Sequence, residues 1–330
     1  MDCDVLVIGA GMTGLMAGLR LQALGQRVRL LEKGRSVGGR MATRRIGPGF
    51  ADHGAQFITA HSPAFNDLLA RWEQAGLIYP WAAGFAQGSL RPSPDTTFYP
   101  RYAARQGMNR LAQQLAQGLD VRTQVTVQAV RRLADGWQAE DATGAVTSAR
   151  RLLLTAPLPQ SLALLAAGAV TLSAADETAL AGVTYDPCLV GLFWLQGDVF
   201  LPPPGALLRS HHDLLWIADN REKGISPDAT LLTVQTSPAF SQRWWEADDA
   251  DVLATIHSDL REFLDPQAAV VEAYLKRWRF ATVASVYPQP FLLPAGLPGL
   301  ALAGDGFGTR GGLEGAVFSG QQVAEALAAA

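Results

Sequence analysis

Only two cysteines occur in the 330 residues, Cys3 and Cys188, and they lie far apart with no metal or redox spacing. A disulfide framework, a cysteine-based zinc site and a CxxC redox centre are thereby excluded, and a reducing cytoplasm is the expected compartment. No metal is expected. Lysine is also scarce for a chain of this size: Lys33, Lys223 and Lys276 are the whole set. A net charge of −3 leaves no basic footprint for nucleic acid or an anionic membrane surface. No uninterrupted apolar run reaches the roughly eighteen residues a membrane span requires. The first residues carry Asp2 and Asp4 where a secretory leader is basic, and glycines break the apolar run, so no signal peptide is expected.

What is present is 48% apolar and 17% charged residues, the balance of a soluble globular enzyme rather than a disordered or coiled-coil chain. The length suits two domains, one of which can be discontinuous. The most informative stretch comes first. Val5-Leu6-Val7-Ile8 runs into Gly9-Ala10-Gly11-Met12-Thr13-Gly14, a G-x-G-x-x-G sequence, and an amphipathic segment with Leu15, Leu19, Leu21 and Leu24 follows. A second apolar strand, Val28 to Leu31, ends on Glu32. Gly9 permits the tight turn, Gly11 lets the backbone approach a pyrophosphate, and Gly14 lets the helix pack on the strand with its N-terminus toward the phosphates. Glu32 stands where a carboxylate can accept from a ribose 2′-hydroxyl. Such a strand, turn, helix and acid specify a dinucleotide site of the Rossmann type: NAD, NADP or FAD.

Further along, Met41 to Arg45 reads as a short strand, and Ser62-Pro63 caps a helix running to Leu77. Residues 79–100 read as an irregular excursion. A helix starts at Gly107-Met108-Asn109, and Val121 to Val130 reads as a single strand leading through Asp135-Gly136 to a hairpin partner at Trp137 to Glu140. Arg151 to Ala156 is a buried return strand. From about 160 to 275 the pattern becomes a mixed sheet with helices, including strands at 188–195, 214–218 and 231–235 and a helix over 248–264. Leu300 to Ala303 is a last apolar strand, ending on Gly304-Asp305, and Gly311-Gly312-Leu313 opens a C-terminal helix. Asp305 can accept a ribityl hydroxyl, and the helix N-terminus can face the pyrimidine of a flavin. Asp52-His53 is read as a pair satisfying loop backbone rather than as catalytic machinery.

The motifs Lys33-Gly34-Arg35-Ser36-Val37-Gly38-Gly39-Arg40-Met41, Asp52-His53-Gly54-Ala55-Gln56-Phe57 and Gly304-Asp305-Gly306-Phe307 resemble those of the flavin amine oxidase superfamily. Over the whole length the chain is similar to one branch, the renalases and their bacterial relatives, with VRTQVT at 121–126, VGLFWLQG at 190–197 and Lys276-Arg277-Trp278-Arg279 as further matches. The resemblance implies an α/β fold: a Rossmann-type FAD-binding domain (1–75, 101–158 and 280–330) and a mixed-sheet α+β substrate domain (76–100 and 159–279). It implies FAD held by Gly9, Gly11, Met12, Thr13, Gly14, Glu32, Lys33, Gly39, Arg40, Met41, Gln56, Phe57, Val125, Gly304, Asp305, Gly312 and Leu313. Gly311 and Gly312 stand where many relatives carry a flavin-linking cysteine, so the FAD is expected to be noncovalent.

The activity implied is oxidation of dihydronicotinamide isomers, reduced at ring positions 2 or 6, to NAD(P)⁺, with molecular oxygen as acceptor and hydrogen peroxide as product. A dihydropyridine that loses hydride becomes an aromatic cation, so this chemistry needs orientation more than an acid or base. Trp278 and Trp216 are the candidate wall for the ring, and Asn220 and Gln235 the candidate partners of its carboxamide. The alternatives are an FAD-dependent amine oxidase or desaturase of the same superfamily, and a flavin-fold binding protein without catalysis, as in Rab-escort-type relatives.

Overall fold

The computed structural model describes residues 1–87 and 100–329. The chain begins with β1 (Cys3–Ile8), α1 (Met12–Ala23) and β2 (Val28–Glu32), then the hairpin β3 (Thr43–Ile46) and β4 (Gly49–Asp52). Next come α2 (Pro63–Gln74), β5 (Ile78–Ala82), β6 (Ala86–Gln87), β7 (Arg101–Ala104) and α3 (Met108–Leu115). The middle holds β8 (Asp120–Thr123), β9 (Val127–Leu133), β10 (Gly136–Asp141), β11 (Val146–Leu154), α4 (Leu158–Ala167) and α5 (Ala174–Leu180). After β12 (Thr184–Gln196), β13 (Ala206–Leu208), β14 (Leu214–Asp219) and β15 (Thr230–Thr236) come α6 (Pro238–Arg243) and α7 (Asp249–Leu260). The long β16 (Ala269–Ser285), then β17 (Phe291–Leu292), β18 (Leu300–Ala303) and α8 (Gly312–Ala329) complete the order. Among the described residues no helix is long and apolar enough to cross a membrane.

The chain divides into two compact units, one of 1–39, 112–185 and 282–330, the other of 40–111 and 186–281. The first unit is built on a sheet in the order β17-β18-β11-β1-β2-β8, with β10 and β9 added as a meander on β11. β18, β11, β1, β2 and β8 run parallel. A parallel sheet must be covered on both faces, which is why β1 is apolar at every inner position instead of alternating. Val5 and Val7 face one cluster with Leu15 and Leu21 of α1 and Val323 and Leu327 of α8. Leu6 and Ile8 face another, with Trp137, Leu158, Leu165 and Leu180. The two helices meet closely: a Cβ on Gly320 would lie 2.4 Å from the carbonyl of Thr13.

The second unit carries the sheet β16-β12-β15-β14-β13-β6. One face packs Leu189, Phe193, Leu232 and Val234 against Phe240, Val252, Ile256 and Leu260 of α6 and α7. The other packs Val190, Leu192 and Leu231 against Ile46 and Ala51 of the β3–β4 hairpin. In α2, Ser62 is the cap, its hydroxyl accepting from the amide of Phe65 at 3.3 Å, with Pro63 at the first helical position.

Two expectations are revised. The boundaries differ: 40–75 and 101–111 lie in the second unit and 159–185 in the first. The hairpin buries Ile46 and Ala51 on the second sheet, and α4 and α5 bury Leu158, Leu165 and Leu180 with Val130 of the first. Of the excursion expected over 79–100, residues 88–99 lie outside the described residues. The strand expected over 121–130 is two strands, broken at Gln124, whose φ is +61°. There the amides of Gln124 and Val125 turn to the carbonyls of Gly34 and Glu32, at 2.9 and 3.0 Å.

Candidate cofactor and substrate sites

In the first unit, β1 ends in Gly9 at φ +105°, a conformation that only glycine adopts without strain. A Cβ on Gly14 would lie 2.0 Å from the Gly9 carbonyl, so the turn and helix cannot close with any side chain there. Gly11, the residue before α1, has open space over it: a Cβ would meet nothing within 4 Å. No side chain caps the amides at the start of α1, and its first turn holds no acid. The positive helix end is thus left for an anion from outside the protein. Met12 and Thr13 are buried, so only their backbone can serve a ligand. The Glu32 carboxylate is already oriented, accepting from Ala10 N at 2.9 Å and Gly34 N at 2.7 Å. Gly38 and Gly39 both have positive φ, and the Gly38 amide donates to the Ala10 carbonyl at 2.8 Å, bringing this bend beside Gly11.

Lys33 is exposed and donates to Gln160. The Val125 amide is spent on Glu32, so a purine contact there would fall to its carbonyl. Gly304 ends β18 with its amide on the Ser319 hydroxyl at 2.9 Å, Asp305 is buried just beyond, and Gly312 (φ +85°) and Leu313 open α8. These glycines, the oriented acid and the uncapped helix fit a dinucleotide.

In the second unit, one Arg40 Nη donates to the carbonyls of Phe280 and Ala281 at 3.1 and 3.3 Å, and Met41 is buried. A Cβ on Gly54 would lie 1.8 Å from the Arg40 carbonyl, so the 52–57 segment hugs the 40–42 segment. Gln56 is buried, and its amide nitrogen donates to the carbonyls of Asp52 and Gly54 at 2.8 and 3.0 Å. Its carbonyl oxygen is buried and has no partner among the described residues. An orphaned acceptor on the segment expected to line a flavin fits a ligand N–H donor there. Phe57 is half-buried against Phe85 and Trp216, with ring centroids 5.1 and 5.6 Å away.

The four expected substrate residues part company. Trp278 and Gln235 converge on one turn: the Trp278 indole N–H donates to the His53 carbonyl at 2.7 Å, and the Gln235 amide nitrogen donates to the Gly54 carbonyl at 2.7 Å. Both side chains are half-buried, and each is fixed by one polar contact. Asn220 is corrected. It is fully buried, donating to Leu231 O and Thr233 Oγ1, both at 2.9 Å, and accepting from Asp52 N, so it is core structure and not a substrate contact. Trp216 is corrected too: it lies buried behind Phe57, Trp81 and Phe85, supporting them rather than offering a wall.

Two pairings were not foreseen from the sequence. His53 stacks on Trp278, centroids 5.6 Å apart at 19°, and its pKa is pushed down to about 4 by burial and then by the charge of Lys276. Its imidazole is therefore neutral at physiological pH. Lys223 and Asp52 form a fully buried ion pair at 2.7 Å, 171 residues apart in sequence. The same carboxylate accepts from the Thr43 hydroxyl at 2.5 Å and the Met108 amide at 2.8 Å. Asp52 thus ties β3, α3 and the 220s loop to the base of the 52–57 segment. Neither partner sits in a local pattern that would have announced it.

Comparison with known proteins agrees with these features. Residues 7–72 match the NAD(P)-binding Rossmann-like domain, and residues 73–328 match the flavin containing amine oxidoreductase family. Mouse renalase is 28% identical over 98% of this chain and 98% of its own length. Putrescine oxidase of Kocuria rosea is 42% identical, but over 22% of this chain and 15% of the relative. A putrescine oxidase structure with putrescine bound shares the fold, with a TM-score of 0.74, full coverage of both chains and 16% identity. The chain belongs to the flavin-containing amine oxidoreductase family, as a flavin-dependent oxidoreductase whose cofactor is noncovalently bound FAD.

Proposed function

We propose that the enzyme oxidises 2- or 6-dihydro isomers of NAD(P) to NAD(P)⁺, with molecular oxygen as the final acceptor. The balance is one dihydronicotinamide, one oxygen and one proton giving one pyridinium and one hydrogen peroxide. FAD, when bound, supplies the centre that accepts the hydride and delivers the electron pair to oxygen. The protein's part is to hold the dihydropyridine ring, since the ring becomes aromatic on losing hydride and no C–H proton needs a base.

The carrying observation is the pair Trp278 and Gln235. An indole locked through its N–H to the His53 carbonyl offers a flat face. A Gln235 side chain locked through its nitrogen to the Gly54 carbonyl presents its own carbonyl as an acceptor for a carboxamide N–H. A neutral His53 behind the indole adds no charge to oppose the pyridinium product. The Lys276 ammonium, 4.6 Å from the centre of the Trp278 ring, disfavours any cation bound at the same place, so it favours a neutral dihydropyridine over a protonated amine as substrate and favours release of the pyridinium product. We also place the protein in a reducing cytoplasm, where its two free cysteines remain thiols.

The deciding experiment is anaerobic mixing of the yellow holoenzyme with 6-dihydro-NAD, ordinary NADH and putrescine, each separately. Rapid bleaching by the isomer, with the other two slow, supports the proposal. Bleaching by putrescine with the isomer inert overturns it in favour of amine oxidation.

A further inference from the structure

We propose that the strip of the second unit running from Trp278 past Lys276 to Arg44 is a phosphate-binding subsite, so that the substrate is a nucleotide held by its phosphates as well as by its ring. This deepens the dihydronicotinamide reading and rests on it.

Along β16, Tyr274, Lys276 and Trp278 alternate onto one face. The strand rise puts Lys276 about 7 Å and Tyr274 about 13 Å from Trp278. Arg44 of β3 lies over Tyr274, its guanidinium carbon 3.6 Å from the ring centre, while Lys276 lies over Trp278 at 4.6 Å. In a nicotinamide nucleotide one ribose separates the ring from the first phosphate, and the second phosphate follows directly. A ring beside Trp278 therefore has the Lys276 ammonium next to it, and its phosphates, a ribose farther along the strand, come toward Arg44 over Tyr274.

The chemistry of the two contacts matters. A guanidinium stacked on an aromatic face engages its flat side and leaves its edge N–H donors, the fork that matches phosphate oxygens, pointing outward. Among the described residues Arg44 makes no ion pair, and its side chain is exposed. Arg277, one position from Lys276 on the opposite face, is different. It is consumed by Asp249 and by the carbonyls of Trp245 and Ala247. The positive field of the strip is felt at His53, where Lys276 and Arg44 both add to the effect of burial, with Asp52 opposing. Glu272, the next residue on that face beyond Tyr274, is exposed and closes the positive tract.

The test uses holoenzyme, Arg44→Ala and Arg44→Lys with 6-dihydro-NAD and 6-dihydronicotinamide riboside, which lacks phosphate. Titration with ADP-ribose, the phosphate-bearing part of NAD without its base, runs alongside. Arg44→Ala is expected to lower the dinucleotide-over-riboside ratio of kcat/KM about fivefold, the reach of one exposed charge contact. The loss should lie in KM, fade with added salt and be recovered in part by Arg44→Lys. ADP-ribose should bind more weakly by a similar factor. An unchanged ratio in Arg44→Ala, with both substrates still turned over, overturns the subsite and leaves the reaction intact. If neither substrate bleaches the flavin, the reaction reading fails. ADP-ribose then decides the subsite alone: binding weakened by Arg44→Ala sustains it, and absent or unaltered binding overturns it.

Discussion

Replacing Asp52 by asparagine leaves Lys223 as a cation with no counter-charge at a site where neither side chain reaches solvent. Breaking a buried pair from one side costs about 3–5 kcal/mol. A ceiling can be worked independently, because the lysine can escape by giving up its proton. Its pKa is already lowered in the folded protein, by burial first, with Asp52 holding it up, and removing Asp52 lowers it further. Folding with a neutral lysine costs 1.36 kcal/mol for each unit between the working pH and the unfolded pKa near 10.4, about 4–5 kcal/mol at pH 7 and about 2 kcal/mol at pH 9. The sign follows from proton counting: the folded variant binds fewer protons than its unfolded chain, so its stability rises with pH across this window. At about 2–4 °C per kcal/mol for a unit of this size, Asp52→Asn should lose about 10 °C in Tm at pH 7 and about half that at pH 9, relative to the parent at each pH. The double variant Asp52→Asn with Lys223→Met should recover most of the loss and lose the pH dependence. Scanning fluorimetry of the three holoproteins at both pH values checks this. A loss under about 1 kcal/mol at pH 7, or one that is flat with pH, would refute the reasoning that a buried uncompensated charge is the cause.

Other outcomes follow from the same geometry. Gly14→Val should give a protein that no longer retains FAD, because the new side chain collides with the Gly9 carbonyl that shapes the turn; the flavin-to-protein absorbance ratio after desalting reports it. Trp278→Leu should lower kcat/KM for the dihydro isomer about tenfold or more while the flavin content is unchanged, since the ring loses its aligning face. His53, near 4 in the fold against about 6.5 unfolded, makes stability fall as pH drops through that window, by up to about 3 kcal/mol. His53→Leu should therefore flatten the acid limb of the stability curve, and equal slopes in urea titrations at pH 6.5 and 4.5 for parent and variant would contradict the assignment.

The nucleotide half was legible because its signals are local. The residues from Val5 to Glu32 carry strand, turn, helix and acid within thirty positions, and the structure realises each in turn. Gln124 shows the opposite case: nothing in its type announces a positive φ, and the break in the strand follows from where Val125 must reach, the carbonyl of Glu32. Trp278 and Gln235 were chosen by residue type, and Asn220, chosen on the same ground, is turned inward. The direction of a residue at a strand end depends on what lies beneath it, here Asp52, and that partner is remote in sequence. The pairing of Lys223 with Asp52 was hidden for the same reason. The division into units was misjudged where short elements choose between two sheets, since a four-residue hairpin strand carries too few apolar positions to declare its allegiance.

The packing of α8 (Gly312–Ala329) on α1 (Met12–Ala23) joins segments about 300 residues apart, and β18 beside β11 joins segments about 150 apart. The helix whose amino end awaits the phosphates therefore has one flank uncovered until α8, residues 312–329, has been synthesised. Contacts of such long range close slowly. During that interval the exposed apolar flank of α1 is a place for chaperones to hold and for aggregation to begin. Yield in a heterologous host should then respond to slower translation or to extra flavin supply, because ligand captured at that late moment locks the final closure in place.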